Sequence, residues 1–336
     1  MRALTFRQYG CPARVLGLTE LARPEPGPGQ VRVRVSARPV NPSDLLYVQG
    51  RYGREAPFSL RPDASSGDGG RAVAGFEGAG TVDALGPGTK GPAPGTRVAV
   101  SATGTWQEHV CVPAGSVIPL ADGVPAEAAC QFTVNPFTAV LLVREVALGA
   151  GDTLLLTAGA SAVSRMTVHL AGERGIRCLP VVGRPEQARA LERSGAEPVL
   201  ADSPDALAGK VRDLTGRHRV DAVLDAVGGD PGGAALRCLR PGGRFLSYGM
   251  LSGRPLPVSP DDLVFRQVSV RGFWLPTALE RLDERELARL TRKVEEAVVR
   301  GLPGLEVAGR YDLADYRSAL AHTRRPGRRG KVVLTG

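Results

Sequence analysis

A turn built from small residues follows a short apolar run near the middle of the chain. Thr153-Leu-Leu-Leu-Thr157 has the composition of a strand buried on both faces, and Thr157-Ala-Gly-Ala-Ser-Ala-Val-Ser164 leads from it into helical spacing. Small side chains let backbone N–H groups and a helix N-terminus approach a phosphate group. Gly159 is present, but Ala162 and Ser164 stand where a dinucleotide-binding turn would have glycine. The segment fits a pyrophosphate site and an ordinary strand-to-helix turn equally well.

Arg184 follows the next apolar strand, Arg177–Val182. An acidic residue at this place would bind the ribose hydroxyls of NAD, whereas an arginine can pair with the 2′-phosphate of NADP. The residue therefore favours NADP(H) as the cofactor. A solvated arginine at a helix start is the alternative, since arginine supplies 39 of the 43 basic residues.

Apolar strands alternate with helical runs of about ten residues across the second half of the chain, which is typical of βαβ crossovers. We expect strands at 153–157, 177–182, 197–200, 220–225, 243–247 and 268–271, and helices at 163–174, 185–194, 206–215, 232–239 and 282–300. This pattern predicts an α/β fold with a doubly wound parallel sheet.

The first 120 or so residues have a different character, with alternating strands at Val31–Val35, Arg97–Val100 and Glu108–Val112 between Gly- and Pro-rich turns. The sequence predicts a β-rich domain over residues 1–124, completed by 276–336 and its terminal strand Lys331–Leu334. A nucleotide-binding domain is predicted over 125–275. A stretch of loop composition, Ser59–Arg71, is expected to flank the substrate mouth as a lid.

The net charge of +9 does not indicate a nucleic-acid protein, because the arginines are spread along the chain among Asp and Glu without interleaved aromatic residues. The sequence leaves open that the positive electrostatic field attracts phosphate-bearing small molecules or an acidic protein partner. Five separated cysteines fit neither a disulfide framework nor a four-cysteine zinc site. With no apolar run of 18 residues or signal-peptide pattern, we expect a cytoplasmic protein without a membrane span.

Seven ordered motifs resemble the medium-chain dehydrogenase/reductase superfamily, from near the first strand to the last residues. The closest likeness is to the zinc-independent quinone oxidoreductases and trans-2-enoyl thioester reductases. The motifs are Val40-Asn-Pro-Ser-Asp44, Gly75-Phe-Glu-Gly-Ala-Gly80, Gly104-Thr-Trp-Gln-Glu108, Thr133-Val-Asn-Pro-Phe-Thr-Ala139, Val227-Gly-Gly229, Gly272-Phe-Trp274 and Gly330-Lys-Val-Val-Leu334. The resemblance implies a GroES-like β-rich domain joined to a Rossmann domain.

The zinc alcohol dehydrogenases of the superfamily need a cysteine and a histidine where this chain has Asn41 and Phe76. Without a metal, an alcohol substrate has no Lewis acid to lower its pKa. We therefore expect the reduction of a polarised double bond: hydride adds to the β-carbon of an α,β-unsaturated carbonyl, and the protein stabilises the enolate and supplies a proton. Enoyl thioesters are the expected substrates.

Tyr52 matches the tyrosine that the enoyl reductases place over the nicotinamide, and a phenol can donate a hydrogen bond and a proton without carrying charge. It is the predicted catalytic residue, with Asn41 orienting groups beside it. Tyr47 is the fallback and is expected to serve in packing. Tyr52 as a loop tyrosine packed on the domain surface and Asn41 as a turn former are the plain alternatives.

The resemblance also implies a set of cofactor-binding residues. Asn135 and Thr138 would lie beside the nicotinamide, and Phe273–Leu275 would bond the carboxamide through the backbone. The full predicted set is Asn135, Thr138, Ala160, Ser161, Ala162, Val163, Arg184, Tyr248, Gly249, Met250, Leu251, Phe273, Trp274, Leu275 and Lys331, the last reaching a phosphate. The strand Val268–Arg271 is expected to pair with its copy in a symmetric homodimer.

Three hypotheses follow. The first is an NADPH-dependent reductase of a 2-enoyl thioester, and the second is a quinone or enone reductase of the same fold. The third is a non-catalytic scaffold that kept the fold after its phosphate turn changed. Weak or absent NADPH binding would favour the third.

Overall fold

The structure, a computed structural model, describes residues 1–60, 70–216 and 219–336, and the chain divides into two units. Unit 1 comprises Met1–Val134, Val298–Arg300 and Leu305–Gly336, and unit 2 comprises Asn135–Ala297 and Gly301–Gly304. No described helix combines the length and the apolar composition that crossing a membrane would require.

These units differ from the predicted domains at three places, residues 125–134, 276–297 and 301–304. Residues 125–134 belong to unit 1, where the Glu77 carboxylate accepts hydrogen bonds from the Thr133 and Val134 amides. Residues 276–297 belong to unit 2, where the Glu286 carboxylate pairs with Arg144 at 3.3 Å. The predicted boundaries rested on changes in composition, which do not show these long-range contacts.

Unit 1 is rich in β structure. Its strands are β1 (Arg2–Phe6), β2 (Gly17–Glu20), β3 (Gln30–Pro39), β4 (Ala72–Val73), β5 (Glu77–Leu85), β6 (Arg97–Ser101), β7 (His109–Pro113), β8 (Val117–Pro119), β15 (Val307–Asp312) and β16 (Lys331–Thr335). Its helices are α1 (Pro12–Val15), α2 (Pro42–Val48), α3 (Pro57–Leu60), α4 (Ala126–Ala129) and α13 (Tyr316–Thr323).

Most of these strands form one sheet in the order β15-β16-β3-β5-β6-β8, to which β7 adds on β3. Antiparallel pairing places β16 beside the end of β3, with Val333 opposite Pro39. Valines that alternate along β3 fill a core with β5, β6 and β7, as the period-two pattern predicted. This pairing brings the residue at the start of β16, Lys331, to the part of the chain where α2 begins.

Unit 2 alternates strands and helices. Its strands are β9 (Thr153–Leu156), β10 (Arg177–Val182), β11 (Val199–Leu200), β12 (Val220–Asp225), β13 (Leu239–Ser247) and β14 (Ser269–Gly272). Its helices are α5 (Asn135–Glu145), α6 (Ala162–Gly172), α7 (Pro185–Glu192), α8 (Pro204–Thr215), α9 (Gly229–Arg237), α10 (Pro260–Val264), α11 (Leu275–Glu280) and α12 (Glu284–Val299), whose last two residues fall in unit 1.

The strands of unit 2 pair in parallel in the order β11-β10-β9-β12-β13-β14. Leu154, Leu155 and Leu156 of β9 are fully buried, as expected for a strand covered on both faces. The order runs outward in both directions from β9 and β12, so the turn after β9 lies at the switch point where doubly wound sheets bind ligands. The predicted α/β fold is confirmed.

Several elements of unit 1 were not predicted from patterning, among them β1, β5 and α13. The strand β5 was not predicted because Gly78 and Gly80 interrupt the alternation of apolar and polar residues along it. A Cβ at Gly80 would lie 2.0 Å from the Arg34 carbonyl oxygen, so close strand pairing requires glycine there. Most of the predicted lid, residues 61–69 of Ser59–Arg71, lies outside the described residues.

Candidate active site

Asn41 lies in the N-cap position of α2, directly before Pro42 in the first helical position. Its backbone amide donates to Asp44 Oδ2 at 2.7 Å, the reciprocal half of a capping box. Both residues are buried. A role in forming this turn therefore explains the backbone contacts of Asn41. Its side chain remains available for other hydrogen bonds.

The side chain of Asn41 joins a buried polar network in unit 1. Its Nδ2 donates to Glu77 Oε1 at 2.8 Å, and its Oδ1 accepts a short hydrogen bond from Lys331 Nζ. Glu77 Oε2 accepts from the amides of Thr133 and Val134 at 3.0 and 2.9 Å and from the Thr133 hydroxyl at 3.1 Å. An amide thus connects a buried ammonium to a buried carboxylate.

Burial controls the protonation of this network. It lowers the pKa of Lys331 to about 8, against the opposing attraction of the Glu77 carboxylate. Burial also raises the pKa of Glu77, although hydrogen bonds from Asn41 and the Val134 amide favour its charged form. The same desolvation raises the pKa of Asp44 to about 8, and its Oδ1 has no hydrogen-bond partner in the described residues. At neutral pH we therefore assign the negative charge to Glu77 and a proton to Asp44.

Tyr52 lies in an aromatic cluster next to this network. Its ring packs on Phe76 with centroids 4.8 Å apart, and Phe76 also contacts Tyr47 at 5.2 Å. Tyr52 is half-buried, whereas Tyr47 is 1% exposed and belongs to the core. Burial raises the pKa of Tyr47 to about 12. Because Phe76 directly precedes Glu77, the aromatic cluster and the polar network meet at the start of β5.

The donor atoms at this place do not fit a zinc ion. Phe76 has no ligating atom, and the Asn41 oxygen already accepts from Lys331. Among the residues described, no group of three or more His, Cys, Asp and Glu side chains is arranged to hold a metal.

The phosphate turn lies in unit 2, between β9 and α6. Ser161 is the N-cap of α6, and its hydroxyl accepts from the Ser164 amide at 3.2 Å. The amides of Ala160, Ala162 and Val163 have no hydrogen-bond acceptor within the described chain. A Cβ at Gly159 would lie 2.7 Å from Pro180 Cβ, so the one remaining glycine is needed for packing. The turn presents unpaired N–H groups at a helix N-terminus, which suits an anion.

Ser164 stands where a dinucleotide turn would have its last glycine, and the structure shows what its side chain does. The residue is fully buried, and its hydroxyl donates to the Thr157 carbonyl at 3.3 Å and lies 3.0 Å from the Ser161 hydroxyl. It also lies 3.4 Å from the hydroxyl of Tyr248, whose pKa burial raises to about 12. The Ser164 hydroxyl therefore links helix α6 to the end of strand β9.

Asp225, at the end of β12, is a site residue that no sequence motif indicated. Its fully buried carboxylate accepts from the Thr157 hydroxyl at 2.7 Å and from the Val227 and Gly228 amides at 3.1 and 2.9 Å. It fixes the loop beside the phosphate turn. The sequence offered one signal for this residue: an aspartate at the end of an apolar strand, shortly before Gly228 and Gly229.

Most other predicted cofactor residues also lie in unit 2. Asn135 and Thr138 are buried on α5, and Asn135 Nδ2 has no hydrogen-bond partner in the described residues. Arg184 is the N-cap of α7 and pairs with Glu186 at 3.3 Å.

A loop and an edge strand hold the remaining predicted residues. A Cβ at Gly249 would lie 2.7 Å from the Ala226 carbonyl oxygen, which makes glycine necessary there, and Met250 and Leu251 are exposed. The Phe273 amide donates to the Ser247 carbonyl at 2.8 Å, and Trp274 caps α11, which begins at Leu275.

Some of the predicted residues make contacts within their unit. In unit 1 Asn41 and Lys331 bond each other, and Tyr52 packs on Phe76, the residue before Glu77. In unit 2 the Tyr248 hydroxyl lies 3.4 Å from the Ser164 hydroxyl of the phosphate turn. The ammonium group of Lys331 bonds Asn41, and its predicted contact with a cofactor phosphate stays a prediction.

Two family models match the chain. "Alcohol dehydrogenase GroES-like domain" matches residues 27–122, and "Zinc-binding dehydrogenase" matches residues 162–293. A mitochondrial enoyl-[acyl-carrier-protein] reductase from Arabidopsis thaliana is 32% identical over 286 residues, which cover 83% of this chain and 73% of that protein.

Solved structures are similar over the whole chain. A putative NADPH:quinone reductase from Bacillus thuringiensis is 28% identical with a TM-score of 0.90, covering 100% of this chain and 98% of that one. A mycobacterial protein solved in complex with NADPH is 28% identical with a TM-score of 0.87, covering 100% of both chains.

The raised pKa of Asp44 predicts a pH dependence of stability. Because the folded chain keeps this proton up to about pH 8 while the unfolded chain loses it near pH 3.8, the free energy of unfolding should fall as pH rises between these values. The fall should approach about 1.4 kcal/mol per pH unit for one proton. Asp44→Asn, which keeps an acceptor for the Asn41 amide, should flatten it in urea unfolding at pH 5, 6, 7 and 8.

Asp83→Asn is the matched control. Hydrogen bonding to Arg32 holds the pKa of Asp83 below its usual range, so the ionised carboxylate stabilises the fold as pH rises. Removing Asp83 should therefore leave the decrease in the free energy of unfolding between pH 5 and 8 in place. An unchanged slope in Asp44→Asn would show that Asp44 is ionised in the folded protein.

Proposed function

Because the chain belongs to the medium-chain dehydrogenase/reductase family, in its branch of quinone oxidoreductases and enoyl thioester reductases, we propose that it reduces an activated carbon–carbon double bond with NADPH. The proposed substrate is a 2-enoyl thioester, the substrate class that the name of the Arabidopsis thaliana relative implies. The packing of Tyr52 on Phe76 carries the proposal, since it places a neutral proton donor beside the position where zinc enzymes of the family have histidine.

Two features of unit 2 support NADPH binding. The unpaired amides of Ala160, Ala162 and Val163 suit a pyrophosphate, and the unpartnered Asn135 Nδ2 suits a polar group of the nicotinamide half. When bound, NADPH supplies the hydride that adds to the β-carbon of the substrate. The other residues proposed to bind it are Thr138, Ser161, Tyr248, Gly249, Met250, Leu251, Phe273, Trp274 and Leu275.

In this mechanism Tyr52 has two tasks. Its hydroxyl donates a hydrogen bond to the carbonyl oxygen that becomes negative, and it delivers a proton to the α-carbon. Asn41 orients the groups around it and is itself held by Glu77 and Lys331. The ammonium of Lys331 contributes a fixed positive charge close to Asn41, which favours a developing enolate.

Arg184 is proposed to select NADPH over NADH. Its side chain is about one-third exposed at the start of α7, and its partner Glu186 is half-exposed at 3.3 Å. Exposed ion pairs of this kind are weak, so a phosphate with two charges can replace Glu186 as the partner of the guanidinium.

A quinone or enone reductase is the second candidate. The structural likeness to the putative NADPH:quinone reductase favours it, because that likeness extends over the whole chain. The two candidates share the hydride chemistry and differ in the acceptor.

We also propose a symmetric homodimer formed through β14. This strand is the edge of the unit 2 sheet, and Leu263, Val264 and Phe265 lie exposed just before it, Phe265 at 79%. An edge that pairs with no further strand in the described chain, beside exposed apolar side chains, suits a second copy of the same surface. The five cysteines are all free thiols, which agrees with the proposed cytoplasmic location.

Tyr52→Phe should lower kcat for NADPH oxidation with a 2-enoyl thioester by about 100-fold or more, because the proton donor is lost while the ring packing on Phe76 remains. Tyr47→Phe is the matched control, since it removes a hydroxyl from the same aromatic cluster and should leave kcat close to that of the wild type. Steady-state assays at 340 nm with thioesters and quinones measure both.

Three outcomes of these assays would count against the proposal. Equal activity of Tyr52→Phe and wild type would remove Tyr52 from the reaction, and loss of activity in Tyr47→Phe alone would move the role to Tyr47. Activity on quinones with none on thioesters would favour the second candidate.

Phe265→Asp should convert the dimer to a monomer, because it places a charge in the proposed apolar contact. Sedimentation velocity should give about twice the 35.3 kDa chain mass for the wild type and the single chain mass for the variant. Leu287→Asp, at an exposed position of α12, is the control that should stay dimeric. A monomeric wild type would contradict the proposal.

A further inference from the structure

The last part of the chain carries an unbalanced positive charge. Residues 316–336 contain no Asp or Glu but hold one lysine, Lys331, and five arginines. Four of the arginines, Arg324, Arg325, Arg328 and Arg329, fall in the loop 324–330 that joins α13 to β16. Along most of the sequence acidic residues are mixed with the arginines, so this loop is an exception.

None of the four loop arginines forms an ion pair with a carboxylate in the described chain. Arg324, Arg325 and Arg329 are exposed. Elsewhere in unit 1, Arg2 pairs with Glu108 and Asp312, and Arg32 pairs with Glu25 and Asp83. The absence of counter-charges leaves the full field of the loop in solvent.

A second element extends the positive surface. Cys11 is the N-cap residue of α1, and Arg324 and Arg14 both lie close enough to its thiol to help the Ala13 amide lower the pKa of that thiol. Arg14 is exposed and also has no carboxylate partner in the described residues. We call Arg14, Arg324, Arg325 and Arg329 the arginine patch.

The backbone of the loop 324–330 is conformationally restrained. Pro326 fixes one backbone angle, and Gly327 and Gly330 adopt φ values of 76° and 88°. The partly buried Arg328 donates to the Gly330 carbonyl, so it stabilises the loop and is not part of the patch. The next residue, Lys331, belongs to the buried network of the candidate active site and also hydrogen-bonds Glu306 through its amide.

We propose that the arginine patch is the docking surface for an acidic carrier protein that presents the thioester substrate. This inference rests on the proposed function. Exposed, separate guanidinium groups from two elements suit the distributed carboxylates of a protein surface, because complementary charge steers and orients such a partner. A coenzyme alone would need an enclosed phosphate site, and the patch arginines are exposed. Docking there places the carrier beside the loop that leads to Lys331.

The test is a charge-reversal variant, Arg324→Glu with Arg325→Glu and Arg329→Glu, which leaves Arg328 and the candidate active site unchanged. The same 2-enoyl group is supplied on a holo acyl carrier protein and on N-acetylcysteamine. The variant should raise KM for the carrier-bound substrate about tenfold or more with kcat unchanged. It should keep the wild-type kcat/KM on the small thioester, which also shows that it folds.

The matched control reverses three exposed arginines of α12, which also have no carboxylate partner in the described chain: Arg285→Glu, Arg289→Glu and Arg292→Glu. The net charge changes equally, so the control separates docking at the patch from the field of the whole molecule. It should use the carrier-bound substrate as the wild type does. An equal loss in both variants, or no loss in the patch variant, would overturn the inference.

Binding of the holo carrier protein without substrate gives a readout that does not depend on activity. Calorimetry should show binding to the wild type and the control, at least tenfold weaker binding to the patch variant, and weakening with salt. Equal binding of an unrelated protein of the same net charge would overturn the inference. If no thioester is reduced but carrier binding follows this pattern, the proposed reaction fails while the docking surface stands.

Discussion

The ammonium group of Lys331 is buried beside the Asn41 amide, and the unit 1 site is arranged around that charge. A buried cation needs a compensating anion, and Glu77 supplies it through Asn41 while holding the Thr133 and Val134 amides. β16, the start of α2 and the start of β5 are therefore tied together by polar contacts. Tyr52 packs on Phe76, the residue before Glu77, so its place depends on the same network.

Unit 2 shows how a nucleotide turn can change its residues and keep its shape. Glycine at the last turn position normally allows close packing of helix on strand. Here Ser164 fills that place, and its hydroxyl satisfies the Thr157 carbonyl and the Ser161 hydroxyl. Asp225 accepts from the Thr157 hydroxyl and fixes the neighbouring loop by accepting from the Val227 and Gly228 amides. The amides of Ala160, Ala162 and Val163 have no acceptor within the described chain, which leaves them available to an anion.

The parallel sheet was predictable because its strands are buried on both faces and read as continuous apolar runs. β5 and α13 were not, since glycines required by close strand approach break the pattern of β5 and α13 is only eight residues long. Asn41 and Tyr52 were found through family resemblance, whereas the link between Asn41, Glu77 and Lys331 depends on pairing between positions 290 residues apart. Spacing along a chain cannot show such a contact.

The proposed reaction depends on NADPH binding to a turn that has lost two of its expected glycines. Isothermal titration of the purified chain with NADPH and with NADH tests this directly, with Arg184→Ala as the comparison. We expect NADPH to bind more tightly than NADH and the preference to shrink in the variant, because one guanidinium–phosphate pair is lost. Absence of binding by either nucleotide would contradict the account and leave a scaffold that shares only the fold.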